Sequence, residues 1–159
     1  MDEEITGLAE LIKRGGIYRN IQGTSPKEVL SALVTLVPSI PAVPADRLLN
    51  AFMEREALMS TSIGKGIALP HPRNPLAMEK DREFTALAFL KNPINWNSLD
   101  GGRVDTLLLI VSASAKQHLH SLSEINYFCR DEIFFKMLKE HTRPEDILDY
   151  ITEAEKNWK

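Results

Sequence analysis

Ser60-Thr61-Ser62-Ile63-Gly64-Lys65-Gly66-Ile67-Ala68-Leu69-Pro70-His71-Pro72-Arg73 is the stretch that decides how this chain folds. A glycine-punctuated loop runs into a short apolar segment, and the pattern predicts one strand over residues 64–71. Proline lacks an N–H and has a fixed φ, so sheet pairing must end near Pro70. His71 precedes Pro72 and is pushed towards extended geometry. Its imidazole is therefore presented at a strand end with little backbone freedom, a placement that suits a nucleophile. On spacing alone, an ordinary loop histidine fits the same pattern.

Upstream, Ile5, Leu8, Leu11 and Ile12 recur at helical spacing and predict a helix over residues 3–14, stopped by Gly15-Gly16. Residues 17–21 read as a short strand. Ser25 then caps a helix with Pro26 at its first position. Pro38, Pro41 and Pro44 make a stiff linker, and residues 45–58 form an amphipathic helix. Downstream, residues 84–90 are apolar on both alternating faces, as expected of a strand covered on two sides. Asp100-Gly101-Gly102 signals a turn before residues 104–111, which carry the unbroken run Leu107-Leu108-Leu109-Ile110-Val111. Helices are predicted over residues 116–130, from an Asp131 cap to residue 139, and from Thr142-Arg143-Pro144-Glu145 to about residue 156. The order predicts an α/β fold, a mixed sheet of about five strands sandwiched by helices on both faces.

The chain has 159 residues, enough for one domain with a real core and short for two. A net charge of −3 gives no basic footprint for nucleic acid and suits, weakly, a basic protein partner. The single cysteine, Cys129, has no internal disulfide partner, which fits a reducing compartment. No apolar run approaches the ~18 residues needed to cross a bilayer. The opening Met1-Asp2-Glu3-Glu4 is acidic, unlike a signal peptide, so a cytoplasmic protein is expected.

Four histidines are present: His71, His118, His120 and His141. His118 and His120 lie near the start of the helix after the strongest strand, where site residues of α/β proteins collect. Helix positions two apart diverge, so only one of this pair can face a small site. His141 reads as loop surface. No Cys/His cluster or HExxH pair predicts a metal, and no GxGxxG, Walker or GxSxG pattern predicts a nucleotide cofactor or a serine hydrolase. Arg55, at a helix end, is either a solvated cation or a guanidinium for an anion near His71. Thr61 is either a locally bonded loop hydroxyl or a donor to a phosphate oxygen.

Taken together, Arg55-Glu56, Leu58, Ser60-Thr61, Ile63-Gly64 and Gly66-Ile67-Ala68-Leu69-Pro70-His71 resemble the signature of enzyme IIA domains of the bacterial phosphoenolpyruvate-dependent phosphotransferase system, in its fructose/mannitol/nitrogen-regulatory branch. Gln117-His118-Leu119 resembles the family's second histidine segment, and Leu99-Asp100-Gly101 its strand-leading turn. Gly15-Gly16-Ile17, Pro72-Arg73-Asn74-Pro75 and His118-Leu119-His120 are most similar to the nitrogen-regulatory type. The likeness spans a core of about residues 8–151 in a single domain of residues 1–159. Ser62 departs from the pattern, standing where many relatives have glycine.

The resemblance implies a phosphotransferase component with a phosphotransferase/anion-transport-like fold. His71 would accept a phosphoryl group from a small phosphocarrier protein, HPr or its nitrogen-branch counterpart. His118 would bond a phosphate oxygen, Arg55 would balance the added charge, and Thr61 would donate one more hydrogen bond. No cofactor, metal, nucleic acid or membrane insertion is implied. A regulatory role acting on target proteins is preferred. Sugar transport through a IIB domain and a module whose histidine is never phosphorylated stay open.

Overall fold

The computed structural model describes residues 4–157. Its elements run α1 (Leu8–Gly15), β1 (Ile17–Ile21), α2 (Pro26–Val34), α3 (Ala45–Leu58), β2 (Ser62–Gly64), β3 (Ile67–Ala68), β4 (Phe84–Ile94), β5 (Val104–Val111), α4 (Ala115–Cys129), α5 (Glu132–Lys139) and α6 (Pro144–Glu155). The sheet order is β1-β4-β5-β3-β2. β1 runs parallel to β4, β4 antiparallel to β5, β5 parallel to β3, and β3 antiparallel to β2. The mixed five-strand sheet expected from the sequence is present.

The two central strands are apolar on both faces because both faces are covered. Phe84, Ala86, Ala88 and Leu90 of β4, with Leu107, Leu109 and Val111 of β5, pack towards α2 and α3. Leu87, Phe89, Leu108 and Ile110 point the other way, onto α1, α4, α5 and α6. Caps set where the helices begin: Ser25 Oγ accepts from the Glu28 N–H, and Ser114 Oγ from the Gln117 N–H. The proline linker does more than span: Val37, Ile40 and Val43 are buried in the α2/α3 core.

Three expectations need correction. The helix expected from residue 3 begins at Leu8, because residues 4–7 run irregularly along α4 (residue 3 lies outside the described residues). There the side chain of Gln117 accepts from the Thr6 N–H and donates to the Thr6 carbonyl, at 2.8 and 3.0 Å. The strand expected over residues 64–71 is a hairpin: Lys65 and Gly66 both have positive φ, 58° and 83°, the backbone of a two-residue turn. The strand expected to end at residue 90 continues to Ile94, whose pairing with Val104 holds the exposed Lys91-Asn92-Pro93 stretch against β5.

Gly15 is the last residue of α1 and lies against β4. A Cβ there would come within 2.1 Å of the Thr85 carbonyl oxygen, a backbone atom that cannot yield. Gly15→Ala is therefore expected to lose about 1–3 kcal/mol of stability through overpacking, measured as a lower urea midpoint at unchanged m-value.

Candidate functional site

Parallel pairing places two carboxyl ends side by side. β3 and β5 align Ile67 with Thr106 and Ala68 with Leu107, so both strands end at the same edge of the sheet. His71 follows β3, and α4 follows β5. The crevice beyond parallel strand ends is where α/β sheets collect ligands. His71 and His118 meet there, their ring centroids 4.8 Å apart and tilted by 48°.

The backbone leading to His71 is held on both sides beyond the last residue of β3. The Leu69 N–H donates to the Thr61 carbonyl at 3.0 Å, and the Ile110 N–H donates to the Pro70 carbonyl at 2.9 Å. His71 Nδ1 lies 2.7 Å from the Leu69 carbonyl oxygen. A carbonyl only accepts, so Nδ1 carries the proton and Nε2 keeps its lone pair.

Arg55 occupies the last turn of α3, where its guanidinium donates to the Met59 carbonyl at 2.7 Å and closes the helix end. Its charge reaches both imidazoles. Thr61 is 6% exposed. Its hydroxyl bonds to Glu56 Oε1, and its N–H donates to Glu56 Oε2 at 3.2 Å. Sequence reasoning gave Glu56 no role; the signal available was its place beside Arg55, one turn before the loop. Ser62 ties the loop to the segment before β5, accepting from Ser98 Oγ at 2.7 Å and from the Gly64 N–H at 3.2 Å.

The other two histidines lie elsewhere. His120 points away from His71 and sits 3.3 Å from the carboxylate of buried Glu124. His141, expected at the loop surface, has a φ of 51° and stacks its ring on Phe89 at 4.4 Å, so it is half-buried. Cys129 is buried, and burial pushes its thiol up to about 12, which leaves it inert. Among the described residues, no three His, Cys, Asp or Glu side chains gather as a metal site.

Beside His118 lies a cavity of about 250 Å³ bordered by Arg73, Asn74, Ser112 and Leu119. Burial holds His71 below the ordinary 6.5 of an imidazole; the Leu69 carbonyl and Glu56 oppose this, and Arg55 adds to it. Burial, with the charges of His71 and Arg55, pushes His118 down to about 4. Both rings are therefore neutral at pH 7. The arrangement joins an aimed imidazole nitrogen, a second neutral imidazole and a nearby guanidinium. It suits transfer of an anionic group onto Nε2.

The family description "Phosphoenolpyruvate-dependent sugar phosphotransferase system, EIIA 2" matches residues 10–154. The chain belongs to this family. It is thus a phosphotransferase component. It is 33% identical to the nitrogen regulatory protein of Pseudomonas aeruginosa over 74% of this chain and 77% of that protein. With the nitrogen regulatory protein of Escherichia coli it shares 28% identity over 93% and 91% of the two chains. The Bacillus subtilis fructose-specific EIIABC component is 27% identical over 94% of this chain but only 24% of its own length. Among solved structures, nitrogen regulatory protein IIA-Ntr from Neisseria meningitidis superposes with a TM-score of 0.78 at 20% identity, covering 90% of this chain and 97% of that one. The Escherichia coli IIA mannitol structure gives 0.64 at 17% identity over 90% and 96%. These two share the fold. No helix of the described residues is long and apolar enough to cross a membrane.

The depressed imidazole of His118 makes stability pH-dependent. Between its folded value of about 4 and the ordinary 6.5, the unfolded chain binds a proton that the folded chain refuses. Stability therefore rises with pH across that window, is complete above it, and is lost as pH falls through it. Denaturant midpoints measured from pH 7 to pH 4 should fall, and the fall should be shallower in His118→Asn.

Proposed function

We propose that His71 accepts a phosphoryl group at Nε2 from a phosphocarrier protein, HPr-like in kind, in a regulatory branch of the phosphotransferase system in the cytoplasm. The observation that carries this is the 2.7 Å contact of Nδ1 with the Leu69 carbonyl, which commits the ring to the tautomer with a free Nε2 lone pair. In the step, that lone pair forms the new N–P bond. The bond from phosphorus to the carrier breaks, and its electron pair stays with the carrier. Nδ1 keeps its proton, and the positive charge that develops on the ring faces the Leu69 oxygen. Phosphoryl transfer asks chiefly for in-line placement and charge stabilisation. His118, once its proton faces the phosphoryl oxygens, supplies one hydrogen bond, and Arg55 supplies compensating charge.

A donor protein needs a surface to sit on. Leu119, next to His118 and bordering the cavity, is 65% exposed, and Leu58 and Met59 are exposed at the end of α3 where Arg55 is anchored. An apolar rim with a charged centre suits a transient protein contact. The phosphoryl group would add negative charge in the middle of that surface and so change which partners bind it. The regulatory reading draws support from the nitrogen regulatory relatives, which align along most of their own length. Transport through a IIB domain draws support from the fructose-specific relative.

Incubation with phosphoenolpyruvate, enzyme I and a phosphocarrier should add one phosphoryl group by intact mass, and His71→Ala should abolish the gain. His118→Ala should slow the transfer by about 100-fold while moving the thermal midpoint little. No uptake from several carriers would favour an interaction module instead. Rapid loss of the group to a IIB domain with sugar would favour transport.

A further inference from the structure

We infer that Glu56 and Thr61 form a clasp that positions His71 for the proposed transfer, with neither touching the phosphoryl group. The inference rests on the reading of His71 as the acceptor. Three contacts link them in series. Thr61 gives both its N–H and its hydroxyl to the Glu56 carboxylate. The Thr61 carbonyl accepts from the Leu69 N–H at 3.0 Å. The Leu69 carbonyl accepts from His71 Nδ1–H at 2.7 Å. Each link orients the next.

The clasp is needed because the two sides of this backbone are supported unequally. On one side Pro70 bonds to Ile110 of β5, deep in the sheet. On the other, Thr61 leads into β2, an edge strand of three residues with a shifted register. Ser60 and Ser62 tie that edge to Trp96 and Ser98, but those bonds flank Thr61 and are not made by it. Glu56 braces Thr61 from α3, and Thr61 is buried, so loss of the carboxylate takes away the acceptor of both its N–H and its hydroxyl. Because the hydroxyl hydrogen of Thr61 is already given to Glu56, the hydroxyl is a brace here, in contrast to the phosphate-donor role its motif position suggests. Misplacing an attacking atom by about 1 Å can cost about 100-fold in rate.

The test uses Glu56→Ala, Glu56→Gln, Thr61→Val and Thr61→Ser in the full chain, with two readouts. One is the His71 tautomer by ¹⁵N NMR in the unphosphorylated protein. The other is the single-turnover rate of phosphoryl acceptance. Glu56→Ala and Thr61→Val should lose the single Nδ1–H tautomer and slow acceptance by about 10- to 100-fold, with the carrier concentration for half-maximal rate unchanged. Thr61→Ser should behave as wild type, and Glu56→Gln, which keeps one acceptor oxygen, should recover part of both signals. A folded Glu56→Ala with wild-type tautomer and rate overturns the inference. So does a slow Thr61→Val beside a fast Glu56→Ala, which would return Thr61 to direct phosphate contact. If Glu56→Ala does not fold, the Thr61 pair decides by tautomer: Val losing the single Nδ1–H form with Ser normal supports the clasp, and Val keeping that form refutes it, whether its transfer is slow or normal. A tautomer lost in Glu56→Ala while the wild-type protein accepts no phosphoryl group upholds the clasp and removes the phosphocarrier role.

Discussion

The parallel pairing of β3 with β5 is the constraint on which the site depends. Parallel strands end at the same edge, so whatever follows each must share one crevice. Here one strand is followed by His71 and the other, through a Ser114-capped turn, by the helix that carries His118. An antiparallel β3 would have put the two rings at opposite edges. The pairing is short, two residues in formal register, but the Pro70 carbonyl extends it by a bond from Ile110, while the Leu69 N–H holds the other side through Thr61. Proline ends the strand without ending its attachment, because the carbonyl of Pro70 still accepts.

Electrostatics and burial then act in the same direction. Two half-buried imidazoles with a guanidinium nearby cannot both hold protons, and burial and the added positive charges lower His118 together. A neutral ring is the form that can attack phosphorus. The cost is borne by stability in acid, where the unfolded chain gains protons that the folded site excludes. Arg55 belongs to the same balance: its guanidinium donates to the Met59 carbonyl, and its charge reaches both rings.

Much of the fold was legible because both levels of pattern agree. The run from Leu107 to Val111 is apolar on both faces, and the structure covers both faces. The Ser25-Pro26 and Asp131 caps start helices where their chemistry says they should. What was illegible depended on contacts far apart in sequence. Lys65-Gly66 could be spacer or turn, and only pairing of Ser62 with Ala68 made it a turn. The Lys91-Asn92-Pro93 stretch is polar and carries a proline, yet it remains in β4 because Val104 lies across from Ile94. His141 looked like surface because nothing local reveals that Phe89 lies beneath it.

For the candidate site, local chemistry by itself determined that His71 stands at a proline-bounded strand end, that only one of His118 and His120 can share a site with it, and that Arg55 lies at the end of the preceding helix. Those follow from bond geometry, helix periodicity and the missing proline N–H, all of which act over a few residues. The tertiary structure alone decided which of the two histidines meets His71, which ring nitrogen is free, and that the Thr61 hydroxyl bonds to Glu56. Hydrogen-bond partners and desolvation are properties of groups brought together by folding, and no spacing along the chain encodes them.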